Sequence, residues 1–241
     1  MIKEIESNSN LSSVQPKIKN YFKREKFDYA GGCGGELDIL CYPFVRGRIF
    51  NTVEIDRGQY NQSKNIFWAS GTAFMTKKSI FMDLNGFDEV LFAHMEEIDY
   101  HWKCHLMGYD VASVPESVVF HKGGETLDYQ SPFKTYLNHR NSLLLLLTNF
   151  SIPFALLLAI PRLFLELVSM IYELYLGRIS HSFSILKSMI WLIFHPHIII
   201  KRIIFNKQIR KISDFKMINY FYKGSIVLNY FLFKKKTYNS L

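Results

Sequence analysis

Cysteine is scarce, and its count is odd: Cys33, Cys41 and Cys104 are the only three in 241 residues. No Cys-x-x-Cys pair occurs, so neither a disulfide framework nor a zinc ribbon is expected, and a reducing compartment fits. Acid nearly vanishes after residue 200. Asp214 stands alone there against Lys201, Arg202, Lys207, Arg210, Lys211, Lys216, Lys223 and Lys234 to Lys236. A basic, aromatic tail of this kind has two natural partners, anionic lipid head groups and nucleic acid. It adjoins long apolar runs rather than a recognisable nucleic-acid module, so an anionic membrane is expected and nucleic acid is not. The glycine run Gly31-Gly-Cys-Gly-Gly35 lacks the Gly-Lys-Ser/Thr continuation of a phosphate loop and reads as a turn. Met1 to Leu11 is polar and mixed in charge, unlike a signal peptide.

What is present argues for folded structure. Hydrophobic residues make up 49% and charged residues 21%, a balance that excludes general disorder. Residues 1–137 alternate short apolar runs with Gly, Pro and Asn/Asp turns, the pattern of a mixed α/β domain. Residues 138–205 are strongly apolar and predicted helical, and 206–241 form the basic aromatic tail. In the first region, Ala69 to Thr76 reads as a strand, and Lys78 to Leu84 as a short helix closed by Asn85-Gly86. Glu96 to Met107 reads as a longer helix with its acids in the first turn, where the dipole favours them, and with Asp99 and Lys103 paired at (i, i+4). Two short strands, Asp110 to Val114 and Ser117 to Phe120, flank Pro115 and place His121 at a strand end before Gly123-Gly124.

Ser142 to Pro161 contains no charge and matches the ~20 residues that span a bilayer, but Pro153 interrupts it. Ser188 to Ile200 is a shorter apolar run containing His195-Pro196-His197. Crossing helices, interfacial helices and a re-entrant hairpin are all compatible with these runs.

The chemistry-bearing residues cluster in order: Trp68-Ala-Ser-Gly-Thr-Ala-Phe-Met75, Asn85-Gly-Phe-Asp-Glu89, Phe92-Ala-His-Met-Glu-Glu-Ile-Asp99 and His121-Lys-Gly-Gly124. Adjacent carboxylates at a helix start are ordinarily surface residues that the dipole favours. In a cleft, such acids can divide the work, one deprotonating a hydroxyl and the other orienting groups or a cation. His94, Glu96, Glu97, His101, Cys104 and His105 do not form a zinc site by spacing, because they spread around the helix.

In order and spacing these segments resemble the C-terminal half of family 2 glycosyltransferases with the GT-A fold, the rhamnosyltransferase-like members in particular. Val14-Gln-Pro-Lys-Ile18, the glycine run from Ala30 to Gly35, and Arg140-Asn141 extend the resemblance over roughly residues 11–145. It implies an α/β fold: the C-terminal half of a GT-A, Rossmann-like domain followed by apolar membrane-associated helices. It implies Glu97 as the general base, where Asp is more usual, with Glu96 beside it. Gly71 and Thr72 would face the donor sugar, and Asp99, Trp102 and Arg140 would line the donor and acceptor side. His121 would help hold a divalent metal, Mg or Mn, and the diphosphate. The implied reaction is inverting transfer from a nucleotide-sugar donor to a lipid-linked or glycan acceptor at the cytoplasmic face of the cell membrane.

One departure is large. Family members begin with a nucleotide-binding half that ends in an Asp-x-Asp motif, and no Asp-x-Asp occurs in this sequence; Asp83-Leu-Asn85 is the nearest approach. The chain therefore reads as a truncated form. A catalytically inactive, membrane-docked binding or scaffolding module, and a basic peripheral membrane protein without sugar chemistry, remain the other readings.

Overall fold

The computed structural model describes residues 1–123 and 131–241. Gly124, the last residue of the His121-Lys-Gly-Gly run, therefore lies outside the described residues. The protein is mixed α/β and divides into two compact units. The first unit takes residues 1–88, 97–123 and 211–241. The second takes 89–96 and, of the described residues, 131–210.

The first unit opens with α1 (Ile2–Ser7) and β1 (Leu11–Asn20). β1 is buried from Leu11 to Ile18, including the polar Ser12, Ser13, Gln15 and Lys17. A small antiparallel sheet follows in sequential order: β2 (Gly35–Leu37), β3 (Pro43–Val45), β4 (Arg48–Ile49) and β5 (Thr52–Val53). The main sheet adds β6 (Lys64–Ile66), β7 (Met75–Thr76) and, after α2 (Lys78–Asp83) and α3 (Glu96–Leu106), the long β8 (Asp110–His121). Its strand order is β6-β8-β1-β7. β8 runs parallel to β1, and the two outer strands are antiparallel to their neighbours.

Two local expectations change. Ala69 to Thr76 is not a strand throughout: Ala73 N–H donates to Ser70 O, closing a turn, and only Met75–Thr76 pairs with β1. The two strands around Pro115 are one strand. Pairing jumps from Pro16↔Val114 to Lys17↔Val118, so the residues from Pro115 to Ser117 bulge out of the ladder. A proline lacks the ladder N–H, and a bulge is where a central strand tolerates one. The predicted stop of α2 stands: Asn85 (φ 59°) and Gly86 (φ 67°) take the left-handed conformations that these two residues adopt most easily.

The second unit is helical. The uncharged stretch from Ser142 is shared between α4 (Pro132–Asn149) and α5 (Ile152–Tyr175). Pro153 lies in the first turn of α5, where a missing N–H leaves no bond unmade. Leu143 to Leu146 are buried. α5 has 24 residues and contains an 18-residue window with a mean hydropathy of 2.0, long and apolar enough to cross a membrane. α6 (Ile179–Phe194) and α7 (Pro196–Ile209) meet at His195 with a bend of 72°.

The chain then returns to the first unit. α8 (Asp214–Met217) and α9 (Ile226–Phe231) lie in this segment, and Met217, Phe221 and Ile226 are buried. Asp38 fastens this return. It is fully buried; its Oδ1 accepts from the N–H groups of Leu40 (3.0 Å) and Tyr42 (2.8 Å), and its Oδ2 accepts from Ile226 N–H (2.9 Å). Asp38→Ala leaves these buried donors unmatched, so it should cost about 3 kcal/mol. Urea unfolding measures the loss, and hydrogen exchange should show α9 opening first.

Candidate active site

Three of the sequence motifs meet at one side chain. Gln15, at the centre of β1, is fully buried with its carboxamide satisfied at both ends. Its Nε2 donates to Gly31 O at 3.0 Å, and its Oε1 accepts from Ser70 N–H at 2.7 Å. One amide thus joins β1, the glycine run and the Trp68 to Met75 loop. The two loops touch so closely that a Cβ on Gly31 would lie 2.8 Å from Ser70 Cβ and 2.5 Å from Ile18 Cδ1. Ser70 Oγ in turn accepts from Thr72 N–H at 3.2 Å, which fixes the turn that presents Gly71 and Thr72.

Glu97 faces that turn. Its Oε1 lies 3.9 Å from the point where a Cβ on Gly71 would sit. Glu97 sits in the first turn of α3, half-buried, and its own carbonyl accepts from His101 Nδ1 at 2.6 Å. His101 is fully buried, and burial pushes its pKa down to about 3, so the ring is neutral. Glu96 Oε2 is buried with no hydrogen-bond partner among the described residues, and desolvation raises the Glu96 carboxyl above its ordinary range. The Glu97 carboxylate, facing an open glycine turn, is the group suited to take a proton from a hydroxyl bound there.

The residues before Glu96 are strained. Phe92 (φ 61°), His94 (φ 65°) and Met95 (φ 74°) all adopt left-handed backbone without being glycine, a cost of about 1–2 kcal/mol each. Arg140 and Asn141 of α4 hold this loop. Arg140 Nη2 donates to the carbonyls of Val90 (2.8 Å) and Leu91 (3.1 Å), and its Nε donates to Asn141 Oδ1 (2.8 Å). Asn141 Nδ2 reaches the carbonyls of Leu91 (2.9 Å), Ala93 (3.0 Å) and His94 (2.7 Å).

Other expected site residues stand elsewhere. Trp102 is fully buried between Phe67 and Phe221 and offers no surface to a ligand. Asp99 is buried in the expected pair with Lys103, at 2.6 Å. Arg140 is occupied by the loop it clamps. His121, at the end of β8, turns its Nδ1 to Asp28 Oδ1 at 3.0 Å, and Asp28 Oδ1 also accepts from Ala30 N–H. This pair supplies at most two donors. No group of three or more His, Cys, Asp or Glu gathers among the described residues, so His121 and Asp28 do not by themselves make a divalent-ion site.

No protein-family model matches the chain, and no curated protein matches it in sequence. The geometry therefore carries the functional reading. Three contributors escape a reading of the sequence: Gln15, Asp28 and Asn141. Each lies inside a segment that the resemblance covers, but a buried amide or carboxylate is recognised only by the partners that the fold brings to it.

Two outcomes are expected. Asn141→Ala removes the donor shared by three loop carbonyls and should cost about 1–3 kcal/mol, seen as a lowered Tm in detergent. The second concerns pH. His101 and His94 are neutral when folded, with values of about 3 and about 4 against an ordinary 6.5, both set by burial. Unfolding lets them take up protons, so their contribution is intact above pH 6.5 and is lost as pH falls, by about 1.4 kcal/mol per unit for each ring. The raised Glu96 carboxyl works in the opposite sense just above the ordinary carboxylate range. Comparing urea stability of the wild type and His101→Gln from pH 7.5 to 5 isolates His101. The variant's slope should be shallower by about 1.4 kcal/mol per pH unit.

Proposed function

We propose that this chain carries the acceptor-side half of a family 2, GT-A-type glycosyltransferase centre working at the cytoplasmic face of a membrane. The observation that carries the reading is Glu97. Its carboxylate faces the Ser70 to Thr72 turn, which one buried amide ties to β1 and to the glycine run. The resemblance requires these motifs to converge, and composition alone would not bring them together.

In the proposed reaction an acceptor hydroxyl lies between Glu97 and the Gly71-Thr72 turn. Glu97 takes the hydroxyl proton as the acceptor oxygen attacks the anomeric carbon. The bond from that carbon to the diphosphate oxygen breaks, and the nucleoside diphosphate leaves with the electron pair. The anomeric configuration inverts. A lipid-linked or polysaccharide acceptor fits the second unit, where α5 exposes Leu156, Ile160, Phe164 and Ile171 while Arg162 and Glu166 of the same helix are buried. A helix that is apolar outside and charged inside matches a lipid surrounding.

The test is transfer from a panel of labelled nucleotide sugars to a membrane lipid extract. Glu97→Gln should lower transfer by about 10²-fold or more, and unchanged transfer in that variant would show that Glu97 is not the base. A second reading has its own observation, the absence of Asp-x-Asp from the sequence: a catalytically inactive, membrane-docked binding or scaffolding module. Vesicle binding with no incorporation from any donor supports it. Metal-dependent, micromolar binding of a sugar nucleotide counts against it.

A further inference from the structure

α9 ends in an apolar tip. Leu228, Phe231, Leu232 and Phe233 are all exposed, Leu232 at 66% and Phe233 at 61%. Lys234, Lys235 and Lys236 follow at once. Consecutive large apolar side chains are costly to keep in water, and such a cluster marks a contact surface.

The tip is built rather than loose. The N–H groups of Leu232 and Phe233 both donate to Leu228 O, at 2.9 and 3.0 Å, and Lys235 N–H donates to Asn229 O at 2.9 Å. Lys234 takes φ 58°, which turns the chain sharply after Phe233. α9 itself is pinned to the first unit by Asp38 on Ile226 N–H, by Asn229 Nδ2 on Tyr222 Oη at 2.8 Å, and by Tyr230 Oη with Thr52 Oγ1 at 3.0 Å. Phe231 leans on Phe50, with ring centroids 5.1 Å apart. The backbone is thus held while the apolar side chains point outward.

Charge selects the occupant. No acid occurs after Asp214, whereas Lys216, Lys223 and Lys234 to Lys236 all lie there. Two such tips would repel each other. An anionic bilayer offers both halves of the match, an acyl boundary for Phe and Leu and phosphates for the lysines. We infer that the Phe231-Leu-Phe-Lys-Lys-Lys236 tip is a membrane-insertion loop of the first unit, specific for anionic lipid. This rests on the membrane location in the proposed function and adds a contact independent of α5.

The experiment uses the full chain carrying Leu232→Cys labelled with an environment-sensitive fluorophore. The three native cysteines are buried, so labelling under native conditions falls on the introduced thiol. Labelled chain is floated with phosphatidylcholine vesicles, or with vesicles containing phosphatidylglycerol and lipids spin-labelled at shallow or deep positions. With phosphatidylglycerol, emission should shift to the blue. Shallow labels should quench more than deep ones, because interfacial segments sit only ~5–10 Å into the boundary. Lys234→Gln with Lys236→Gln should lower the probe's preference for anionic over neutral vesicles about tenfold.

A chain that floats while the probe stays in water overturns the insertion loop and leaves the membrane location standing. A chain that does not float at all overturns both. Equal insertion into neutral vesicles overturns the anionic specificity. A blue shift that grows with protein concentration in the absence of vesicles assigns the tip to a second copy instead.

Discussion

The candidate site depends on a buried polar group in the middle of a central strand. β1 is covered along most of its length, and a glutamine there needs donors and acceptors that water cannot supply. Gln15 finds them in Gly31 O and Ser70 N–H, so two loops distant in sequence are forced onto one strand. Loss of either partner would leave a buried amide atom unmatched. The amide therefore specifies loop position as well as adding stability, and the turn carrying Gly71 and Thr72 inherits that position. Glycine at position 31 belongs to the same constraint, since any side chain there would collide with Ile18 and Ser70.

The second constraint acts on the chain just before Glu96. Three non-glycine residues in left-handed backbone do not hold that shape unaided. The donors of Arg140 and Asn141 reach the carbonyls of Val90, Leu91, Ala93 and His94, and these bonds offset the strain. The loop and its clamp both belong to the second unit, so the bonds from α4 fix a backbone shape that its own sequence does not favour.

Much of this was legible in the residues, and the reasons differ by element. α2 and α3 were readable because their boundaries are chemical: Asn85-Gly86 stops one, and the acids of the first turn open the other. The Asp99–Lys103 pair follows from helical spacing. β8 was misread as two strands because Pro115 is a local signal, whereas the bulge that accommodates it is a property of pairing with β1. The resemblance implies Trp102 beside the ligand, yet Phe67 and Phe221 close over it from distant parts of the chain. The basic C-terminal residues read as a lipid-facing tail, and composition could not reveal that Asp38 holds α9 to the first unit. Pairwise tertiary partners of buried polar groups are what a single sequence withholds.

The second unit supports the membrane reading through an inverted distribution of polarity. Soluble domains bury leucine and expose charge. Here Arg162 and Glu166 are buried and paired, with Arg162 Nη2 donating to Ser142 Oγ at 2.6 Å and His139 Nδ1 bonded to Glu166. Farther along α4, Thr148 and Asn149 are buried with Arg202 and Asn206 of α7; Asn206 Nδ2 donates to Asn149 Oδ1 at 2.8 Å. Meanwhile α5 presents Leu157, Ile160, Phe164 and Ile171 outward, each more than half exposed. In water that outer face would be a large aggregation-prone patch. In hydrocarbon it costs nothing, and the inner ion pair becomes the one place where those charges can be kept. Under the proposed membrane location, the face that would be a liability in water is the one that lipid would cover.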